Sequence, residues 1–112
     1  MNSEFNLDSK VEKNTLILTT HGYINNHGGE KISGEAFKYI NDGVKTIILD
    51  LKDSKVVNSI GISLLIEIIE KLNHINGGLI FVNLDPTIEK TFTIMGLFQF
   101  ASKAPSLEEA IK

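Results

Sequence analysis

Thr46-Ile47-Ile48-Leu49-Asp50-Leu51, followed a few residues on by Val57-Asn58-Ser59-Ile60-Gly61-Ile62, is the stretch whose reading decides the fold. The first run is short, continuous and apolar, as expected of a strand in the middle of a covered sheet. The second opens an apolar, helix-like run from Gly61 to Ile75. A further apolar run, Gly78 to Leu84, reads as another buried strand. Strand, helix and strand from Thr46 to Leu84 form a βαβ unit, which should be parallel and right-handed. Ser59 thus falls where a buried strand hands over to a helix, beside a glycine that keeps the surface low. A helix N-terminus carries unpaired N–H groups and partial positive charge. A phosphate added there is electrostatically tolerated. The same position also fits a plain helix cap at Asn58 or Ser59.

Working outward, Phe5 to Val11 alternates weakly and reads as an edge strand. Asn14 marks a turn, and Leu16 to Thr20 is the β-rich hairpin partner. Gly22 to Gly29, rich in Asn and Gly, reads as a loop. Ile32, Ala36, Phe37 and Ile40 recur at helical spacing within Glu30 to Asn41, and Gly43 fits the stop. On the C-terminal side, Asp85-Pro86 is a helix start with an acidic cap and proline at the first helical position. Ile88, Phe92 and Met95 follow at helical spacing, and Gly96 ends the helix. Phe98 to Ser102 reads as a short last strand. Ser106-Leu107-Glu108-Glu109 is a capping box for a final short helix. The order β-β-α-β-α-β-α-β-α predicts an α/β domain in which a hairpin precedes parallel βαβ units.

The helix Ile60 to Ile75 has an unusually wide apolar side. At about 100° per residue, Ile62, Leu65, Ile66, Ile69 and Leu72 make one face, while Ser63, Glu67, Glu70, Lys71 and His74 make the other. Leu64 and Ile68 widen the apolar arc to roughly 200°. A neighbouring helix covering that width is one reading. The other is that Leu64 or Ile68 is partly exposed beside Ser59 and docks a partner.

Composition sets outer bounds. The chain has 112 residues, enough for one domain with one core, here residues 1–112. Its net charge is −3 and its basic residues are scattered, which argues against nucleic acid as a partner. There is no cysteine, hence no disulfide framework and no thiolate chemistry, compatible with a cytoplasmic protein. Met1 to Phe5 has neither the basic nor the apolar region of a signal peptide. No apolar run approaches the roughly 20 residues of a membrane span.

Catalytic chemistry is poorly provided for. No phosphate-binding glycine pattern occurs, Gly28-Gly29 being the nearest. His21, His27 and His74 are scattered; His21 and His27 share a loop region with Glu30, but no third ligand stands at a recognisable spacing, so no metal is expected. Ser59 and His74 make no triad, and the residues around Ser59 are not a nucleophile elbow. Asp50 at a strand end invites comparison with the phospho-accepting aspartate of receiver domains. That chemistry needs an acidic cluster after the first strand to hold Mg²⁺, and Val11-Glu12-Lys13 and Thr20-His21-Gly22 supply none. Asp50 reads instead as a polar strand terminus facing solvent or capping the next loop. No cofactor is implied.

The order of these motifs resembles the STAS family, the anti-sigma factor antagonists and their relatives. In that family a strand ending Asp-Leu or Asn-Leu precedes Asp-Ser-Ser-Gly-Leu-Gly and a helix. Here Asp50-Leu51 precedes Asn58-Ser59-Ile60-Gly61-Ile62-Ser63. Gly77-Gly78 before Leu79 to Val82, then Met95-Gly96-Leu97-Phe98, continue the pattern, and Gly22-Tyr23-Ile24-Asn25 stands where the family often has Gly-x-Leu-Asp. Three positions depart: Asn58 and Asn25 replace aspartates, and Ile60 replaces the second serine. The resemblance implies a mixed β-sheet carrying about four helices. It implies a non-enzymatic, phosphorylation-controlled switch with Ser59 as the modified residue. Asn25, Asn26, Asn58, Ile60, Gly61 and Leu64 are then the expected partner-binding residues. The partner implied is a kinase-type anti-sigma factor, with a PP2C-type phosphatase resetting the switch. The alternative is a non-switching STAS scaffold or accessory subunit of a signalling or transport complex.

Overall fold

The computed structural model describes residues 5–111; residues 1–4 and 112 of the expected single domain lie outside the described residues. The chain runs β1 (Asn6–Glu12), β2 (Thr15–His21), α1 (Asn26–Asn41), β3 (Thr46–Asp53), α2 (Ser59–His74), β4 (Gly78–Val82), α3 (Pro86–Ile94), a 3₁₀ turn (Leu97–Gln99), β5 (Ser102–Ala104) and α4 (Leu107–Ala110). The five strands form one sheet in sequence order, with β1–β2 antiparallel and every later pair parallel. The hairpin turn is two residues long. Lys13 and Asn14 both take positive φ, the twist-matching geometry that favours asparagine. β3 and β4 pair in parallel from Thr46↔Gly78 to Asp50↔Val82, as the two apolar runs around the central helix predict.

Alternation along the strands builds two unequal cores. Leu16 and Leu18 of β2, Ile47, Leu49 and Leu51 of β3 and Leu79 and Phe81 of β4 face α1, α2 and α3 in the main core. Ile17, Ile48 and Val82 point the other way into a small cluster covered by Leu107 and Ala110 of α4. This explains why the β3 sequence is continuously apolar: both of its faces are covered. Phe81 and Phe92 lie 5.1 Å apart between ring centroids, with Phe98 meeting Phe81 edge-on at 6.0 Å, so α3 is pinned to β4 by an aromatic trio.

Several local expectations are corrected. α1 begins four residues early, at Asn26, because the Asn25 side chain caps it and Gly28 and Gly29 lie inside its first turn rather than in a loop. β4 stops at Val82, where Asn83 turns into positive φ, so Leu84 is outside the sheet. Residues 97–99 coil into the 3₁₀ turn after the left-handed Gly96, pushing the last strand on to Ser102–Ala104. Met95 is exposed rather than a core position, since the helix has ended before it. The caps at Asp85 and Ser106 are as expected: each side chain accepts a backbone N–H, from Thr87 and Glu109 respectively.

Candidate functional site

Two connections run side by side at the C-terminal end of the parallel strands, one from β2 into α1 and one from β3 into α2. Gly22 N–H donates to the Asp53 carbonyl at 3.0 Å, Ile24 N–H to Val56 at 3.0 Å, and Asn58 N–H to Ile24 at 3.1 Å. Ile24 and Val57 form a parallel bridge, so the β2–β3 ladder briefly resumes beyond the strands. Beneath it the buried hydroxyls of Thr20 and Ser54 meet at 2.6 Å. Asn25 and Asn58 are therefore held near one another by backbone bonds.

The two helices start alike. Asn25 Oδ1 accepts from Gly28 N–H at 3.0 Å, and Asn58 Oδ1 accepts from Gly61 N–H at 2.7 Å. Asn58, not Ser59, is thus the cap of α2, and Ser59 is the first helical residue. The glycines answer a spatial demand. A Cβ on Gly61 would overlap the Ile24 carbonyl oxygen, and one on Gly29 would lie 2.6 Å from Leu64 Cδ1. Glycine at these places lets α1 and α2 converge where both begin.

Around this junction the surface is exposed and partly apolar. Ser59 is exposed, its carbonyl accepts from the Ser63 hydroxyl at 3.1 Å, and its own hydroxyl has no hydrogen-bond partner among the described residues. Ile60 is 53 % exposed and Val56 54 %, with Tyr23 also exposed. Asn26 is exposed, while Asn25 and Asn58 are half-buried by their capping bonds. Gly61 is buried, and Leu64 is half-buried against Gly29. Ile68 is fully buried, so of the two residues that widen the helix's apolar arc only Leu64 keeps any surface; α1 covers the rest. Sequence reasoning missed Val56 and Tyr23. Their signal was available: each is a large apolar or aromatic residue in a connection, two residues before an asparagine with an assigned role, Asn25 or Asn58.

The charged groups nearby are structural. His21 bridges β1 and β3, with Nε2 3.0 Å from Asp8 Oδ2 and Nδ1 2.9 Å from Asp53 Oδ2. The hydrogen bond to Asp8, seconded by Asp53, raises the imidazole pKa above its ordinary value of 6.5. The two carboxylates sit on opposite ring nitrogens, so they do not converge on a common point. No group of three His, Asp or Glu side chains among the described residues is placed to hold a metal ion. Asp50 does not face solvent, one of the two placements expected of it. It is buried, with Oδ1 accepting from Lys52 N–H at 3.0 Å and Asn83 Nδ2 at 3.1 Å. A buried carboxylate bonded to Lys52 and Asn83, with no metal-holding group of three among the described residues, does not fit the acceptor site of a receiver domain. No helix among the described residues is long and apolar enough to cross a membrane.

A convergence of two asparagine-capped helices on one end of a mixed five-stranded sheet matches a known architecture. The STAS domain model matches residues 6–110, and the chain belongs to the STAS domain family. An anti-sigma F factor antagonist of Lysinibacillus sphaericus is 30% identical over 88 residues, spanning 78% of this chain and 75% of that one. The solved structure of the anti-sigma factor antagonist SpoIIAA in its unphosphorylated form is 26% identical, with a TM-score of 0.76 and coverage of 96% of this chain and 94% of that one. The phosphorylated form of the Bacillus cell fate determinant SpoIIAA is 28% identical, with a TM-score of 0.75 and 96% of each chain covered.

Proposed function

We propose that this chain is a non-enzymatic anti-sigma factor antagonist whose binding is switched at Ser59. In the unphosphorylated state its α1–α2 junction binds a kinase-type anti-sigma factor, using Asn25, Asn26, Asn58, Ile60 and Leu64, with Tyr23 and Val56 extending the contact. The kinase transfers the γ-phosphoryl group of ATP to Ser59 Oγ, releasing ADP and the hydroxyl proton, and the antagonist dissociates. A PP2C-type phosphatase hydrolyses the phosphoserine and resets it.

The observation that carries this reading is the state of Ser59: exposed, with a hydroxyl that no described residue engages, at the first position of α2 and flanked by exposed Val56 and Ile60. The similarity to SpoIIAA, solved in both forms, supports it. The physics is consistent. Phosphate adds about −1.5 to −2 charge at neutral pH, which the helix start tolerates in the free protein. Desolvating that charge against an apolar contact is costly, so the complex weakens. The test is intact mass and site mapping after incubation with ATP and each histidine-kinase-like ATPase encoded near the gene. One phosphate on Ser59, and release of the bound kinase on its addition, is the expected result. No modification of Ser59 by any of them, with unchanged binding, leaves the scaffold or accessory-subunit reading.

A further inference from the structure

The surface between α2 and the end of α3 is not used by the switch. Ile66 and Ile69 of α2 form one wall of a groove of about 520 Å³, and Met95, Leu97 and Phe100 form the other. The Asn73 side chain donates to the Phe100 carbonyl at 3.2 Å and fixes the spacing of the two walls. Phe100 is 64 % exposed and Met95 50 %, so two large apolar side chains of the groove wall stand open to solvent. Isolated exposed apolar residues are ordinary, but a contiguous group is the mark of a contact surface.

The charges on the exposed face of α2, of which Glu70 and His74 also line the groove, select the occupant. Glu67, Glu70, Lys71 and His74 are exposed on one stripe of α2, and none has a hydrogen-bond or ion-pair partner among the described residues. Acidic residues occupy the N-terminal half of the stripe and basic ones the C-terminal half. A two-fold axis crossing α2 between Glu70 and Lys71 therefore sets Glu70 of one copy against Lys71 of the other. The same axis sets Glu67 against His74, and each pairing occurs twice. Such self-complementarity is what an isologous contact requires. We propose that this chain forms a two-fold dimer through antiparallel α2 helices, with Phe100 and Met95 of each copy packing at the groove of the other and the charged stripe setting the register. The stripe begins about two helical turns beyond Ser59.

Sedimentation equilibrium from about 10 µM to about 1 mM, the range of weak specific contacts, tests this. A reversible monomer–dimer equilibrium is expected; a monomer throughout overturns the proposal. Phe100→Ser should weaken the dimer by about tenfold or more while leaving the urea midpoint of the diluted monomer unchanged; Met95→Gln is the second variant should Phe100→Ser fold poorly. An undiminished dimer in both would overturn the groove. Glu70→Lys and Lys71→Glu should each dissociate more readily than the natural chain, because each sets like charges opposite one another twice. Mixed in equal amounts they should pair with each other, and the double variant Glu70→Lys/Lys71→Glu should recover the original affinity within about threefold. Failure of both the mixture and the double variant to recover would remove the antiparallel register.

Discussion

The Asn58 amide donates to the Ile24 carbonyl at 3.1 Å, and through this bond the cap of α2 is tied to the residue that precedes the cap of α1. The two caps, Asn25 and Asn58, then each close on a glycine three residues ahead. Each removed cap leaves a helix N–H without its side-chain acceptor. Asn25→Ala and Asn58→Ala should therefore each cost about 1 kcal/mol, read from urea midpoints. Asn58→Asp should be neutral or slightly stabilising, because a carboxylate retains the bond and meets the positive end of the helix dipole. Equal midpoints for the natural chain and both alanine variants would mean that neither cap contributes.

The glycines of the junction should rank by what a methyl group would meet. Gly61→Ala drives a Cβ into the Ile24 carbonyl, which is backbone and cannot step aside, so a loss of about 1–3 kcal/mol is expected. Gly29→Ala meets the end of the Leu64 side chain, which can rotate, and should cost less. Gly34 sits exposed in the middle of α1 with open space around it. Gly34→Ala should stabilise the domain by roughly 0.5–1 kcal/mol through helix propensity. Thermal melts of the three variants should give that order.

The register of α2 predicts a sharp contrast between neighbours. Ile69 is 3 % exposed in the main core, so Ile69→Asp buries a carboxylate without a partner and should cost several kcal/mol, on the order of a small domain's stability. Glu70 is exposed, and Glu70→Ala should shift the monomer's stability by less than about 0.5 kcal/mol. Comparable urea midpoints for the two variants would contradict the placement of the helix.

His21 should make stability depend on pH in one direction. Its folded-state pKa is raised above 6.5 by Asp8 first and Asp53 second. A raised pKa means the folded state holds the proton more tightly than the unfolded chain. The stabilisation is therefore full below about 6.5 and is lost as pH rises through the folded value. Because the ring is partly exposed, the effect should be small. An NMR titration of the His21 ring should place its midpoint above 6.5, and Asp8→Asn should lower that midpoint. A midpoint at or below 6.5 in the natural chain would remove the clamp.

The fold was legible where burial writes a period into the chain. The runs around Ile47, Ile69 and Phe81 announced strand, helix and strand, and their parallel pairing followed from the connection between them. What stayed hidden depended on contacts distant in sequence. Gly28 and Gly29 look like loop residues because glycine is a poor helix former. They are helical because Asn25 caps the turn, and glycine fits there because Phe5 and the Tyr23 carbonyl crowd Gly28 while Leu64 of α2 crowds Gly29, facts absent from their own segment. Asp50 read as a strand terminus facing solvent or capping the next loop, yet it is buried and Asn83, a strand away, reaches its carboxylate. The junction itself was half legible: Asn25, Asn58 and Ser59 were readable from spacing and resemblance. Val56 and Tyr23 sit two residues before Asn58 and Asn25, but that they share one exposed surface follows from the pairing of the two connections, which neither segment encodes alone.

The identity of the α2 cap sharpens what Ser59 substitutions should do. With Asn58 accepting the Gly61 amide, Ser59 has no capping bond to lose, so Ser59→Ala should change stability by less than about 0.5 kcal/mol. Ser59→Glu should also fold, since a carboxylate in the first turn is favoured by the dipole. The two variants should part only in partner binding. Ser59→Ala should hold the kinase-type partner and resist release by ATP, whereas Ser59→Glu should bind weakly because its charge resists desolvation. Asn58→Asp adds a separate comparison. It keeps the cap and restores an acidic neighbour to the serine, so if the kinase reads that charge, phosphate incorporation at Ser59 should rise without a fall in melting midpoint. Unequal stabilities but equal affinities for the Ala and Glu variants would make Ser59 a structural residue and remove it as the switch.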